Sequence, residues 1–157
     1  MNAFVISIDE HRFCRTQQEF IDTGINIIKF KGQTGEQIIS NSYFKDRIWN
    51  LARYFSPNKT IGILGTHILL SKYLLEQNYF NNNNWVLILE DDINVNNKLT
   101  LLSDIKRIIL TKSNENLDII KLHCIFNCEN TSNILSGSSA AYLLSKKGAN
   151  KIIKFNI

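Results

Sequence analysis

Residues 85–92 read Trp-Val-Leu-Ile-Leu-Glu-Asp-Asp, an unbroken apolar run that stops in three consecutive carboxylates. The run at 86–89 does not alternate with polar residues, so it predicts a strand buried on both faces. Such strands belong to α/β sheets covered by helices. Glu90, Asp91 and Asp92 then fall at the strand's C-terminal end, the edge where open α/β sheets place their ligands. Three adjacent acids repel one another, and a positive partner is expected to offset them. A divalent cation that also holds a phosphate would do so.

The rest of the chain predicts an alternation of strands and helices. Strands are expected over residues 3–8, 26–31, 86–89, 118–122 and 140–144. Helices are expected over residues 10–23, 45–55, 60–77, 99–110 and 146–154. Asp9 is placed to cap the first helix and Gly24 to end it. Gly32 and Gly35 mark a turn, Pro57 stops the segment before it, and Ile61, Leu64, Ile68 and Leu75 form the inward face of the long helix. The pattern predicts an α/β fold with a mostly parallel sheet flanked by helices. No repeat or interior linker breaks the 157 residues, so a single domain over 1–157 is expected.

Charge and composition exclude several classes. The net charge of +4 is mild and the lysines are scattered, which argues against nucleic-acid binding and suits an anionic small molecule. The opening residues are apolar only briefly before Asp9, too short for a signal-peptide core or a membrane span. Cys14, Cys124 and Cys128 are odd in number and suit a reducing compartment, so a cytoplasmic location is expected. His123, Cys124 and Cys128 match no zinc spacing and read as structural residues. Gly137-Ser-Ser lacks the Lys-Ser or Lys-Thr of a phosphate loop, and no dinucleotide-binding glycine fingerprint is present. A phosphohydrolase using the same acids would want an Asp-x-Asp after the first strand, whereas Asp9 is followed by Glu10 and His11.

Some of these residues have ordinary structural alternatives. The acidic triplet can be a solvated turn in which Asp91 or Asp92 caps nearby backbone. His67, inside an apolar helical pattern, can be a packed histidine with one satisfied ring nitrogen. Tyr142 reads as a half-buried strand aromatic. Trp49, Tyr54 and Phe55 read as core rather than a sugar-stacking platform.

Several segments together resemble glycosyltransferase family 25, which includes lipooligosaccharide and procollagen galactosyltransferases. Ala3-Phe-Val-Ile-Ser-Ile-Asp9, with Arg15 beyond it, resembles the family's opening strand and its following Arg. Residues 27–35 loosely resemble its Phe-Ala-x-x-Gly segment. Gly62-Ile-Leu-Gly65-Thr66-His67 is similar to its Gly-Cys-x-x-Ser-His, with Thr66 keeping the hydroxyl. Leu87-Ile-Leu-Glu90-Asp91-Asp92 matches its Leu-Glu-Asp-Asp. Leu117-Asp-Ile-Ile-Lys-Leu122 resembles its Trp-Asp-x-x-x-Leu without the Trp. Gly137-Ser-Ser-Ala-Ala-Tyr142-Leu-Leu-Ser145-Lys-Lys-Gly148-Ala149 resembles its Gly-x-x-x-Tyr-x-x-Ser-x-x-Gly-Ala.

The resemblance implies a GT-A-like nucleotide-sugar fold. It implies transfer of galactose or glucose from a UDP-sugar to a saccharide or protein acceptor, with inversion, as in lipopolysaccharide biosynthesis. Asp92 and Glu90 would ligate Mn²⁺ or another divalent cation, and Asp91 would orient ribose or sugar. Ser7, Asp9, Arg15, Gly65, Thr66, His67, Glu90 and Asp91 would line the nucleotide-sugar. Asp91 and Asp118 are the catalytic candidates, Asp118 as the general base by strand-edge position alone. Members of that family continue past the Gly-Ala helix, so a minimal or partial version is expected here. A catalytically inactive relative that binds nucleotide-sugar or a partner is the alternative.

Overall fold

The computed structural model describes residues 1–48, 57–80, 84–112, 115–122, 135–136 and 141–155. In chain order these form β1 (Asn2–Ser7), α1 (Glu10–Glu19), β2 (Asn26–Lys31), α2 (Gly35–Ser40), a 3₁₀ turn (Ser42–Phe44) and α3 (Asn58–Glu76). They continue with β3 (Trp85–Glu90), β4 (Asn94–Val95), α4 (Leu101–Lys112), β5 (Ile119–Lys121), β6 (Leu135–Ser136), β7 (Ala141–Ser145) and α5 (Lys146–Ile152).

Five strands make the main sheet, in the order β2-β1-β3-β7-β5. β1 runs parallel to both β2 and β3, while β7 is antiparallel to β3 and to β5. Four strands therefore point one way and β7 is reversed, which keeps the expected mostly parallel α/β architecture. Register aligns the ends that matter. Ser7 pairs with Lys31 and Ile6 with Glu90, so β1, β2 and β3 all finish at one edge. β4 and β6, which the sequence reading did not anticipate, pair as a separate two-stranded ribbon.

Alternation along each strand sends successive side chains to opposite faces. Ala3, Val5, Leu87 and Leu89 pack under α1 and α4, against Phe13, Phe20, Leu101 and Ile105. Phe4, Val86, Ile88, Tyr142 and Leu144 pack on the other face against Leu70 and Leu74 of α3 and Ala149 of α5. Both faces of β3 are covered, which is why its sequence is apolar without a break. Each leucine so buried contributes roughly 1.5–3 kcal/mol.

Several expected boundaries move for local reasons. α1 ends at Glu19 rather than 23, because the Phe20 N–H already bonds back to the Gln17 carbonyl in a tighter turn. Asp22 and Gly24 then take left-handed φ values of 64° and 73° on the way to β2. The turn expected around Gly35 is a helix, α2. It is nucleated by a capping box in which Thr34 accepts from the Gln37 N–H and Gln37 accepts from the Thr34 N–H. Residues 45–48 of the expected 45–55 helix form a turn, and 49–56 lie outside the described residues.

α3 buries Ile61 and Ile68 as expected, but Leu64 is largely exposed and Leu75 half-buried. The reason is that α3 is packed from two sides. α2 meets it at Gly62, Gly65 and Ile61, and the sheet meets it at Leu70 and Leu74. A Cβ on Gly62 would lie 2.7 Å from the Gln33 carbonyl oxygen, and one on Gly65 would lie 2.6 Å from the Ile38 side chain. These two glycines therefore serve contact between helices.

Candidate functional site

The shared edge of β1 and β3 brings together Ser7, Asp9, His67, Glu90, Asp91 and Asp92 of the predicted residues. Ser7, buried at the end of β1, donates through Oγ to the Asp9 carbonyl at 2.6 Å and accepts from the Asp9 N–H at 3.0 Å. This closes the turn into α1. The Asp9 carboxylate accepts from the Arg12 N–H, which holds it below the usual carboxylate range. Ser7 and Asp9 thus aim the first turn of α1 at the end of β3.

The guanidinium that arrives there belongs to Arg12, not to the predicted Arg15. Arg12 Nη2 lies 2.6 Å from Asp91 Oδ1 and 3.6 Å from Asp92 Oδ2. Thr16, four residues on and on the same helical face, donates to the Asp91 carbonyl at 2.8 Å. Arg15 falls outside this stripe and is exposed. The signal in the sequence was the spacing Asp9-x-x-Arg12-x-x-x-Thr16, a cap followed by two residues on one face.

The triplet splits across the sheet. Glu90 ends β3 on the same face as Ile88 and Val86, toward α3. Its Oε1 lies 3.9 Å from His67 Nε2. Asp91 turns to the α1 side and is buried. His67 Nδ1 meets the Tyr142 hydroxyl at 2.7 Å. Burial, and then the Glu90 charge, push the Tyr142 hydroxyl well above its ordinary pKa, so it stays protonated, and its donation to Nδ1 is the arrangement that leaves a ring proton for Glu90. That assignment puts the histidine proton on Nε2, facing Glu90. The Tyr142–His67–Glu90 chain was not foreseen. The reversed strand β7 creates it, setting Tyr142 opposite Ile88.

Thr66 lies beside this chain on α3. Its hydroxyl accepts from the Gln33 N–H at 2.9 Å and donates to the Gly62 carbonyl, fixing the loop after β2. Together with the Gly65 contact on Ile38, this makes Gly65 and Thr66 supports of the site's wall.

Asp118 is not brought to this edge. Its carbonyl accepts from the Ser145 N–H, and Ser145 pairs with Trp85 at the opposite end of β3. About five residues of strand separate it from Glu90, roughly 16 Å at ~3.3 Å per residue. The Asp118 carboxylate is instead held by Lys151 at 2.5 Å and lies 3.7 Å from Lys147. The general-base expectation for Asp118 is corrected on this ground: β5 and β7 are antiparallel, so the start of β5 meets the end of β7. His123, Cys124, Cys128, Trp49, Tyr54, Phe55 and Gly137 to Ser139 lie outside the described residues.

The model of the Poxvirus P35 protein family matches residues 9–152. The chain belongs to the Poxvirus P35 protein family. No curated protein matches it. Among solved structures, this P35-family chain is similar to a glycosyltransferase involved in the glycosylation of the major capsid of PBCV-1. The TM-score is 0.48 and the identity 12%, covering 96% of this chain and 62% of that one. The P35-family chain therefore spans about three fifths of that protein's length.

Among the described residues, no three His, Cys, Asp or Glu side chains are grouped to hold an ion. Asp91 is occupied by Arg12. Glu90 and Asp92 keep 28% and 24% of their side chains exposed. Both carboxylates are thus within reach of solvent, Asp92 beside Arg12 and Glu90 beside His67. No helix among the described residues is long and apolar enough to cross a membrane.

Proposed function

We propose that this P35-family domain binds a UDP-sugar across the edge where β1 and β3 end. In this reading it is a metal-dependent hexosyltransferase akin to glycosyltransferase family 25, moving galactose or glucose with inversion onto a glycan or protein acceptor. One observation carries the reading. Arg12 with Asp91 and Asp92, and His67 with Glu90, converge on the end of β3 from opposite faces. That is the edge at which α/β sheets bind ligands, and the motif order shared with family 25 agrees with it.

Asp92 and Glu90 are the residues that would hold Mn²⁺, whose contribution when bound is to neutralise the leaving diphosphate. Arg12 supplies a guanidinium fork that can turn from Asp92 to a phosphate oxygen while Asp91 keeps it in place. His67, oriented by the Tyr142 hydroxyl, presents its Nε2 proton as a donor to diphosphate or sugar oxygen. Ser7, Asp9 and Thr66 position these groups through backbone contacts.

A second reading, a relative that binds the nucleotide-sugar without turnover, is favoured by the position of Asp118 at the far edge. Among the described residues, no base then stands assigned for the acceptor hydroxyl.

The test is a thermal shift with UDP, UDP-galactose and UDP-glucose, with and without Mn²⁺, beside an assay of UDP release. Stabilisation by UDP is expected, and Asp92→Ala is expected to remove its Mn²⁺-dependent part. Absence of any UDP shift would overturn both readings. A shift without UDP release in the presence of acceptors would select the second.

A further inference from the structure

A second group of polar residues lies away from the strand edge, on the outer side of α3. Tyr43 follows α2, and its hydroxyl donates to the Ile153 carbonyl at 3.0 Å. Arg47 Nη1 donates to the same carbonyl at 2.5 Å. One backbone oxygen thereby fixes both side chains. The Arg47 guanidinium carbon stands 4.3 Å from the centroid of the Tyr43 ring, and Lys72 Nζ stands 4.8 Å from it. The two charges are within about 9 Å of each other, the limit set by those distances. Lys154 completes the rim of a cavity of about 340 Å³ whose floor includes Leu75 and Ile153.

Among the described residues, three cations line this cavity with a single acid. Glu76 lies 3.7 Å from Lys72, one helical turn away, and both are substantially exposed. A pair of that kind is weak and readily exchanged. The Tyr43 ring attracts both cations and helps hold them close despite their repulsion. What remains is a preassembled cluster with charge in excess of its internal partner. A single carboxylate would neutralise only part of it. A phosphate group, with up to two charges and three acceptor oxygens, matches three cations around one cavity better. The arginine fork favours the same ligand.

We propose that this cavity binds a phosphate-bearing anion between Arg47, Lys72 and Lys154. The site shares no residue with the strand edge and does not depend on a sugar donor binding there. A free phosphate compound and a phosphorylated lipid headgroup offer the same chemistry.

Calorimetry with inorganic pyrophosphate, and sedimentation with phosphatidylcholine vesicles with and without a phosphatidylinositol phosphate, test it on the whole chain. Pyrophosphate is expected to bind, more weakly as salt rises. Arg47→Ala and Lys72→Ala are each expected to weaken it about tenfold. Glu76→Gln, which releases Lys72, is expected to tighten it severalfold. Vesicle binding that requires the phosphorylated lipid and is lost in Lys72→Ala would identify a headgroup as the source. Pyrophosphate binding alone would identify a free phosphate compound. If Arg47→Ala does not fold, Lys72→Gln and Lys154→Gln carry the same expectation. Absence of pyrophosphate binding would overturn the proposal. So would binding unchanged by the cavity substitutions but lost in Arg12→Ala, or tighter binding of a glutamate-rich peptide than of pyrophosphate.

Discussion

Arg12 donates from Nη2 to Asp91 Oδ1 across 2.6 Å, joining the first turn of α1 to the end of β3. The Asp91 side chain is only 8% exposed, whereas that of Arg12 is 47% exposed. The pair therefore neutralises a buried carboxylate with a cation that solvent and ligands still reach. This is the positive partner that three successive acids require, and the protein supplies it.

Removing that cation should cost stability. Arg12→Ala leaves the Asp91 carboxylate buried without its charged donor, an expected loss of about 1–3 kcal/mol. Urea denaturation measures it. Asp91→Asn added to Arg12→Ala should recover part of the loss, because a neutral side chain no longer needs the cation. Equal losses in the single and double variants would show that the pair is not the cause.

The α2–α3 contact makes a second prediction. A Cβ on Gly35 would sit 2.3 Å from the Asn58 carbonyl oxygen, against rigid backbone. Gly35→Ala should therefore destabilise by about 1–3 kcal/mol or more. At Gly65 the obstacle is the Ile38 side chain, which can be trimmed. Cδ1, Cγ2 and Cγ1 of Ile38 all stand within 2.7 Å of the added Cβ, so Gly65→Ala should cost less in an Ile38→Ala background than in wild type. Denaturation midpoints of the single and double variants check this.

The alkaline limb of stability should report Tyr142. Burial raises its folded pKa above the unfolded value of 10.0, with the Glu90 charge adding to the effect. Its contribution is complete below pH 10 and falls as pH rises from there toward the folded value. Wild type should therefore lose stability more steeply above pH 10 than Tyr142→Phe. At neutral pH the same substitution should cost about 1 kcal/mol, from the hydrogen bond lost by His67.

Asp118 should govern part of the acid limb. The hydrogen bond from Lys151, and then the Lys147 charge, hold its carboxyl below the ordinary 3.8. Its contribution is present above that value and lost as pH falls through the lower folded value. Asp118→Asn should flatten the decline in stability below about pH 4. It should leave UDP binding unchanged, because Asp118 lies at the opposite edge from Glu90. A matching loss of UDP affinity would contradict the placement of the site.

The apolar run of β3, the capped start of α1 and the periodicity of α3 were legible because local pattern alone selects strand or helix there. The α/β class and the acidic edge followed from them. α2 was legible in principle, through the Thr34 to Gln37 capping box. The partners of the acids were not legible. Arg12 and Arg15 are equally basic and three residues apart, and only the docking of α1 on β3 distinguishes them. Asp118 sits at one end of a strand by sequence, but which edge of the sheet that end joins depends on the direction of β7. The sequence by itself therefore determined which segments are strands and helices and that β3 ends in charge. The tertiary structure decided which side chains that charge meets, because strand order, strand direction and helix rotation arise from contacts between residues far apart in the chain.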